Sequence, residues 1–421
     1  MLKESKTYDQ RKSRATSRDK NLPKKACPER PVVNEVEPNR RVYIRTFGCQ
    51  MNEYDSNIIK GLLLNTGFKE VSGIDEADYI LINTCTVREK ADNKVYSLLG
   101  SLRELKKIIG VCGCLAEKDG IKLIEKMPHV NFVVGPRRIK EIPSILDRLG
   151  NGENHIVCTG DSNTNGICIN SGHHPKEGTR ENGTVPIILM ENGYVTIMQG
   201  CSNYCSYCVV PYVRGESKSR KIDEIIAEIK NLTESGIKEI TLLGQNVNSY
   251  GKDLNSGISF ADLLKEIIKI KKVEIIKFMT SHPKDVSGDL MDLIAKEPKM
   301  YKRIHLPVQS GSNRILKLMN RGYTREKYLE IIKDIRGKIP GASITTDIIV
   351  GFPSETEKDF EDTLDLVKEA KFDAAYTFKY SIRSSTPASK MDGEIDRIVK
   401  EQRLKKLMEI IDKTIIAKKQ K

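Results

Sequence analysis

Cys201, Cys205 and Cys208 stand in the run Cys-Ser-Asn-Tyr-Cys-Ser-Tyr-Cys. Three thiolates at this spacing can wrap one face of an iron–sulfur cubane. A closed structural zinc site wants four ligands, and no fourth Cys or His lies nearby in the sequence. The spacing therefore favours ligation by three thiolates with one iron left open, because ordinary buried cysteines have no reason to share it. An open iron offers a place where a small molecule can chelate and receive an electron.

A second trio is scattered: Cys49 in Thr-Phe-Gly-Cys-Gln-Met-Asn, Cys85 in Asn-Thr-Cys-Thr-Val-Arg, and Cys114 in Cys-Gly-Cys-Leu-Ala-Glu. Each falls shortly after the end of an expected strand. In an open parallel sheet, ligands gather at the strand carboxyl ends, so three loops can bring these thiolates together. Spacing alone leaves open whether they share a site or are three separately buried thiols, since free Cys is commonly buried. Cys112 would sit on its strand and Cys114 past its end, which favours Cys114 as the third member. Cys27, Cys158 and Cys168 lie in flexible or linker-like sequence and read as incidental. His173 and His174 fall in the same linker, and His282 and His305 near strand ends; none is assigned a role.

The elements that must position these thiols follow from hydrophobic patterning. Short β-branched runs at Val42–Thr46, Tyr79–Ile82, Ile108–Val111 and Phe132–Val134 alternate with amphipathic stretches at Asn57–Asn65, Lys90–Lys106, Ala116–Lys126 and Ile139–Leu149. This predicts an α/β fold in which residues 41–150 form an open, mostly parallel sheet. Residues 151–190, crowded with Asn, Gly, Ser and His, read as a linker. A second series spans residues 191–395, with strands at Val195–Gln199, Glu239–Leu243, Glu274–Thr280, Arg303–Val308, Ser343–Val350 and Ala374–Tyr380. Ile222, Ile225, Ile226, Ile229 and Leu232 predict a helix that stops at Gly236. Ser259 with Asp262 and Ser354 with Glu357 predict two capping boxes. Six strand–helix units are too few for a closed eight-stranded barrel and suit a partial one, with its chemistry at the strand C-terminal ends. Residues 396–421 predict a basic helix.

The chain has 421 residues, 38% hydrophobic and 30% charged, a composition that excludes disorder throughout. No apolar run approaches the about 18 residues needed to cross a bilayer, and the N-terminus opens with charge, so a cytoplasmic protein with no membrane partner is expected. In that compartment, ten cysteines favour metal ligation or catalysis over a disulfide framework. The net charge of +13 favours polyanionic partners. Residues 1–40 read as a disordered basic arm, able to touch RNA or simply to be solvated.

Taken together, Cys201, Cys205 and Cys208 resemble the radical S-adenosylmethionine signature. The flanking Val209-Val210-Pro211-Tyr212-Val213-Arg214-Gly215, with Ser219 and Arg220, resembles the methylthiotransferases. Gly48-Cys49-Gln50-Met51-Asn52 and the segment Asn83–Asn93 are similar to the MiaB-type tRNA methylthiotransferases. The resemblance spans about residues 40–415. It implies a (βα)6 radical core with one [4Fe-4S] cluster on Cys201, Cys205 and Cys208, whose open iron chelates S-adenosylmethionine. Reduction would then yield a 5'-deoxyadenosyl radical that attacks an aromatic C–H bond. A second [4Fe-4S] cluster on Cys49, Cys85 and Cys114 would present sulfur, and another S-adenosylmethionine the methyl group. The implied substrate is N6-isopentenyladenosine at position 37 in a tRNA anticodon loop, modified at C2. A monomer served by an external electron donor is expected. Members of the family usually end in a small β-rich RNA-binding TRAM domain, which this sequence is not expected to contain.

Within that resemblance, Tyr207, Gln245, Asn246, Ser281 and Gln309 are candidate contacts to S-adenosylmethionine, together with Gly244 and residues Gly351–Pro353. Polar residues also end strands in any α/β protein. Arg214, Lys218 and Arg220 form a basic cluster suited to substrate phosphates or a carboxylate, and equally suited to a solvated face. The competing readings are a sibling acting on threonylcarbamoyl-adenosine or on a ribosomal-protein aspartate, and a non-catalytic two-cluster electron carrier. The Gln50-Met51-Asn52 context argues against the siblings, and a carrier does not call for a whole partial barrel.

Overall fold

The computed structural model describes residues 40–86, 89–161, 164–169, 192–254 and 257–419. The expected basic arm up to residue 39, together with Cys27, His173 and His174, lies outside them. The first series runs β1 (Arg41–Thr46), α1 (Gln50–Asn65), β2 (Lys69–Glu70), β3 (Tyr79–Thr84), α2 (Glu89–Ser101), β4 (Ile108–Gly113), α3 (Cys114–Asp119), α4 (Ile121–Lys126), β5 (Phe132–Val134), α5 (Ile142–Gly150), β6 (Ile156–Asp161) and β7 (Thr164–Ile169). Its strands make one sheet in the order β2-β1-β3-β4-β5-β6-β7, parallel except for the β6–β7 pair. Every residue of β3 is buried, as a parallel strand must be when helices cover both its faces. Successive side chains serve opposite cores. Tyr79 and Leu81 pack with Ile59 and Leu63 of α1 and Ile145 of α5, whereas Ile80 and Ile82 pack with Val95 and Leu99 of α2 and Leu123 of α4.

Three expectations change here. The helix expected from Asn57 begins at Gln50. Met51, Tyr54 and Ile58 pack into the core of the second series while Ile59 and Leu63 serve the first sheet, and a stripe divided between two cores does not read as one apolar face. The stretch expected as a single helix from Ala116 breaks at Gly120 into α3 and α4. Residues 156–161 and 164–169, expected as linker, are strands. They add β6 and β7 to the sheet, with Ile156, Val157 and Cys158 buried, in runs too short for alternation to stand out from the surrounding Asn and Gly.

The second series runs β8 (Tyr194–Thr196), β9 (Met198–Gln199), α6 (Val210–Arg214), β10 (Lys218–Ser219), α7 (Ile222–Glu234), β11 (Glu239–Leu243), α8 (Phe260–Ile268), β12 (Ile275–Phe278), α9 (Gly288–Lys296), β13 (Arg303–His305), α10 (Asn313–Leu318), α11 (Arg325–Lys338), β14 (Ser343–Val350), α12 (Glu357–Ala370), β15 (Ala374–Lys379) and α13 (Arg397–Lys419). Parallel ladders join β8, β11 and β12, and likewise β13, β14 and β15. A parallel bridge between Ile276 and Met300 links the two groups. The result is six parallel strands in chain order, the expected partial barrel. The strand expected over Val195–Gln199 is interrupted, because Met198 and Gln199 turn to pair antiparallel with Ser219 and Lys218. That small ribbon pins the cysteine loop at its base.

Helix signals fare unevenly. The α7 helix stops before Gly236, and α8 carries the Ser259–Asp262 capping box. The box expected from Ser354 and Glu357 is instead formed by Thr356 and Asp359. Ser354 has φ +63°, and contacts with Asp392 and Gly393 hold it there, whereas an N-cap needs extended backbone. Residues 39–421 form one compact unit. Within it Gln50 Nε2 donates to Tyr194 Oη on β8 (3.2 Å), and Tyr54 Oη donates to Glu228 Oε1 on α7 (3.2 Å). No helix among the described residues is long and apolar enough to cross a membrane.

Candidate functional site

The first trio sits where three adjacent strands end. Cys49 precedes α1 just past β1, Cys85 follows β3 directly, and Cys114 opens α3 after β4. Two glycines allow the approach. A Cβ on Gly48 would lie 2.6 Å from the Cβ of Cys85, and one on Gly113 would lie 2.4 Å from the Thr84 carbonyl oxygen, with φ of +134° and +92°. Only a residue without a side chain fits such contacts and angles. Asn52, fully buried, ties the loops together. Its Nδ2 donates to Thr84 O (2.7 Å) and Phe47 O (3.2 Å), and its Oδ1 accepts from Cys49 Sγ (3.5 Å).

A guanidinium completes this site from outside the sheet. Arg214, at the end of α6, donates from Nε to Cys114 Sγ (3.2 Å) and from Nη2 to Asn52 Oδ1 (3.2 Å) and Asp55 Oδ2 (2.8 Å). Arg214 and Asp55 are both buried. Burial pushes the Cys114 thiol up, and the charge and hydrogen bond of Arg214 oppose that shift. Burial also pushes the Asp55 carboxyl up, again against Arg214. Cys112 lies instead in the sheet core with Phe132 and Val134, where its thiol meets the Ile82 carbonyl at 3.7 Å and burial holds it protonated.

The second trio lies on the pinned loop. Cys201 N donates to Gly215 O (3.0 Å), Cys208 N to Cys205 O (2.9 Å), and Ser206 N to Met319 O (3.0 Å). Cys205 is buried against Arg321, whose Nη1 donates to its Sγ at 3.4 Å. Other nitrogens of that guanidinium donate to Pro307 O (2.6 Å) and Tyr323 Oη (3.0 Å), and Nη1 also reaches Tyr207 Oη (3.2 Å). His282 Nε2 lies 3.9 Å from the same sulfur. Burial, then the charge of Arg321, lowers His282 to about 2, so the ring is neutral. Because its Nδ1 accepts from Lys284 N (3.3 Å), the ring hydrogen belongs on Nε2, facing Cys205. Burial pushes Cys208 up to about 12, with the neighbouring charge of Cys205 adding to it, and Cys201 moves the same way for the same reasons.

Both donor sets suit iron–sulfur chemistry. Each gathers soft thiols close enough to feel one another's charge, a repulsion that bound iron reverses. Among the described residues, no three Cys, His, Asp or Glu side chains meet at a point fit for a single metal ion, whereas a cubane takes its thiolates at separate corners. The candidate S-adenosylmethionine contacts supply a second fit. Gln245 Oε1, Asn246 Oδ1 and Gln309 Oε1 are buried acceptors without donors, the complement of a ligand that brings amino and hydroxyl hydrogens. Asn246 is oriented by Asp285, to which its Nδ2 donates at 2.6 Å. Ser281 is buried and donates to Asn248 Oδ1 (3.3 Å).

The expected basic cluster does not form one surface. Lys218 is exposed, but Arg214 is buried at the first trio, and Arg220 Nη1 is engaged by Glu228 Oε2 (2.6 Å) and Thr196 O (2.7 Å). Charge spacing in sequence could not reveal these internal partners. The sequence does not single out Asp55 and Arg321 for the same reason, since each meets its site through a partner more than a hundred residues away.

Residues 195–367 match the Radical SAM superfamily and residues 41–135 match the Uncharacterized protein family UPF0004. Over 402 residues the chain is 46% identical to the tRNA-2-methylthio-N(6)-dimethylallyladenosine synthase of Alkaliphilus oremlandii, covering 93% of this chain and 83% of that protein. The chain belongs to the tRNA-2-methylthio-N(6)-dimethylallyladenosine synthase family. The synthase of Desulforamulus reducens is 45% identical over 388 residues, covering 90% of this chain and 82% of its own. Among solved structures, the radical S-adenosylmethionine methyltransferase TsrM from Kitasatospora setae, with cobalamin and a [4Fe-4S] cluster bound, aligns with a TM-score of 0.60. It shares 14% identity and covers 83% of this chain and 77% of its own. The cobalamin-dependent S-adenosylmethionine radical enzyme OxsB gives 0.55 at 14% identity, covering 89% of this chain and 56% of its own. At such identities the likeness is one of fold.

Proposed function

We propose that this chain adds a methylthio group to C2 of N6-isopentenyladenosine at position 37 of tRNA, as a radical S-adenosylmethionine methylthiotransferase. The observation that carries the reading is the match to the synthases over nine-tenths of the chain, which spans both thiol trios. Cys201, Cys205 and Cys208 would hold one [4Fe-4S] cluster, and Cys49, Cys85 and Cys114 the other. When bound, the clusters and S-adenosylmethionine supply the electron, the carbon radical, the sulfur and the methyl group. The protein's own task is placement and exclusion of water. Arg321 and His282 fix Cys205, and Asn52 and Arg214 fix the first trio. The unpaired oxygens of Gln245, Asn246 and Gln309 would accept the hydrogens of S-adenosylmethionine. The α1 helix follows Cys49 and packs on β8, the strand that leads toward Cys201, so one rigid support carries both sites.

RNA suits such a site because an anticodon-loop base is already single-stranded, and splaying it costs less than the few kcal/mol of opening a duplex. An external one-electron donor would complete the cycle. The relatives named above favour neither the threonylcarbamoyl-adenosine sibling nor the electron carrier. The deciding experiment is anaerobic: reduced, iron-reconstituted protein with S-adenosylmethionine and isopentenylated tRNA should yield 5'-deoxyadenosine and a 2-methylthio nucleoside. Deoxyadenosine without the modified nucleoside would point to another substrate, and neither product would remove the enzyme reading.

A further inference from the structure

Arg214 lies on the stretch of chain that follows Cys208, yet its guanidinium is part of the other thiol site. It is 3% exposed, with Nε on Cys114 Sγ and Nη2 on Asn52 and Asp55. Its third nitrogen, Nη1, is buried and has no acceptor among the described residues. A guanidinium N–H group left without an acceptor in a protein interior is costly, and each such case calls for a missing partner. The surroundings describe that partner. Asp55 already balances the positive charge on one side, and the charges of Cys114 and Cys49 both act on Arg214. The protein provides donors and soft sulfur here but nothing to occupy Nη1.

We propose that Arg214 Nη1 hydrogen-bonds an anionic sulfur group carried at the first trio, a hydrosulfide or thiolate-type sulfur, and so positions the sulfur that is transferred. This rests on the reading that the first trio holds a cluster. A guanidinium suits the task because it stays charged and presents several donors in a fixed fork, so one side chain grips thiol, carboxylate and ligand together. The neighbouring Gly215 accepts from Cys201 N, so the grip on the sulfur is tied mechanically to the loop of the other trio.

The test uses the full-length chain carrying Cys205→Ala, reconstituted with iron without oxygen, so that the paramagnetic signal comes from the first trio alone. Sodium hydrosulfide is titrated in, and the shift of that signal gives its affinity. Arg214→Lys keeps the charge but loses the fork. Because removing Arg214 alone would strand Asp55, the second variant pairs Arg214→Met with Asp55→Asn and removes both charges together. Hydrosulfide affinity, read from the signal of the chains that do hold iron at the first trio, should fall about tenfold or more in both variants, the size of one hydrogen bond to a charged group. Unchanged affinity in Arg214→Lys would overturn the proposal. A chain with Arg214 intact that takes up no iron at the first trio would instead overturn the two-site reading itself, and the proposal with it.

Discussion

Both thiol sites keep a buried arginine against one sulfur, yet the two arginines are neutralised differently. Arg214 reaches Cys114 from outside the sheet and is matched by the buried carboxylate of Asp55. Arg321 reaches Cys205 from its own barrel and is matched by a carbonyl and two phenols, with no carboxylate partner among the described residues. Among the described residues the first guanidinium has a carboxylate partner, whereas the second has oxygens of a carbonyl and phenols and one sulfur. A buried charge without a counterion is strongly unfavourable, so Arg321 gains more than Arg214 from an anionic group bound at its site.

The bluntest way to break this comparison is to remove one sulfur from each site. Cys205→Ala should abolish S-adenosylmethionine cleavage and leave roughly half the iron, whereas Cys114→Ala should lose the other half and retain cleavage. Iron per chain and 5'-deoxyadenosine yield report both, and equal loss of all iron in either variant would mean the sites are not independent. A second test concerns the counterion. Asp55→Ala leaves Arg214 buried and unpaired and should destabilise the metal-free protein by about 3–5 kcal/mol in urea unfolding. No substitution of a single carboxylate should do the same to Arg321. The mildest is Tyr207→Phe, which removes one neutral acceptor from Arg321 and should cost about 1.5–3 kcal/mol with iron content unchanged; a larger loss would show that the phenol carries more of the charge balance than its neighbours.

The sequence made the chemistry of the thiols legible because thiol ligation depends on residue type and short spacing, and the loop of Cys201, Cys205 and Cys208 is local. The strands β3 and β4 were legible too, since buried parallel strands announce themselves as near-continuous apolar runs. What positions the sulfurs was not. Arg214 and Arg220 read as surface charge, and only the fold reveals that Asp55 and Glu228 wait for them across 159 and 8 positions of chain. The capping box of α12 slipped by two residues because Ser354 is held in a left-handed turn by a contact near Gly393, which no local rule contains.

The division of α1 between two cores bears on how such enzymes can be recombined. Met51, Tyr54, Ile58 and Leu62 along one side face the barrel, while Ile59 and Leu63 on the adjoining side face the sheet, so the natural seam between the modules runs lengthwise along a helix. A chimera that joins this sheet to a foreign barrel at the covalent connection after β7 would bring the wrong Met51, Tyr54 and Ile58 face to its new partner. One inserted residue in α1 would do comparable harm, since it turns everything beyond it by about 100°.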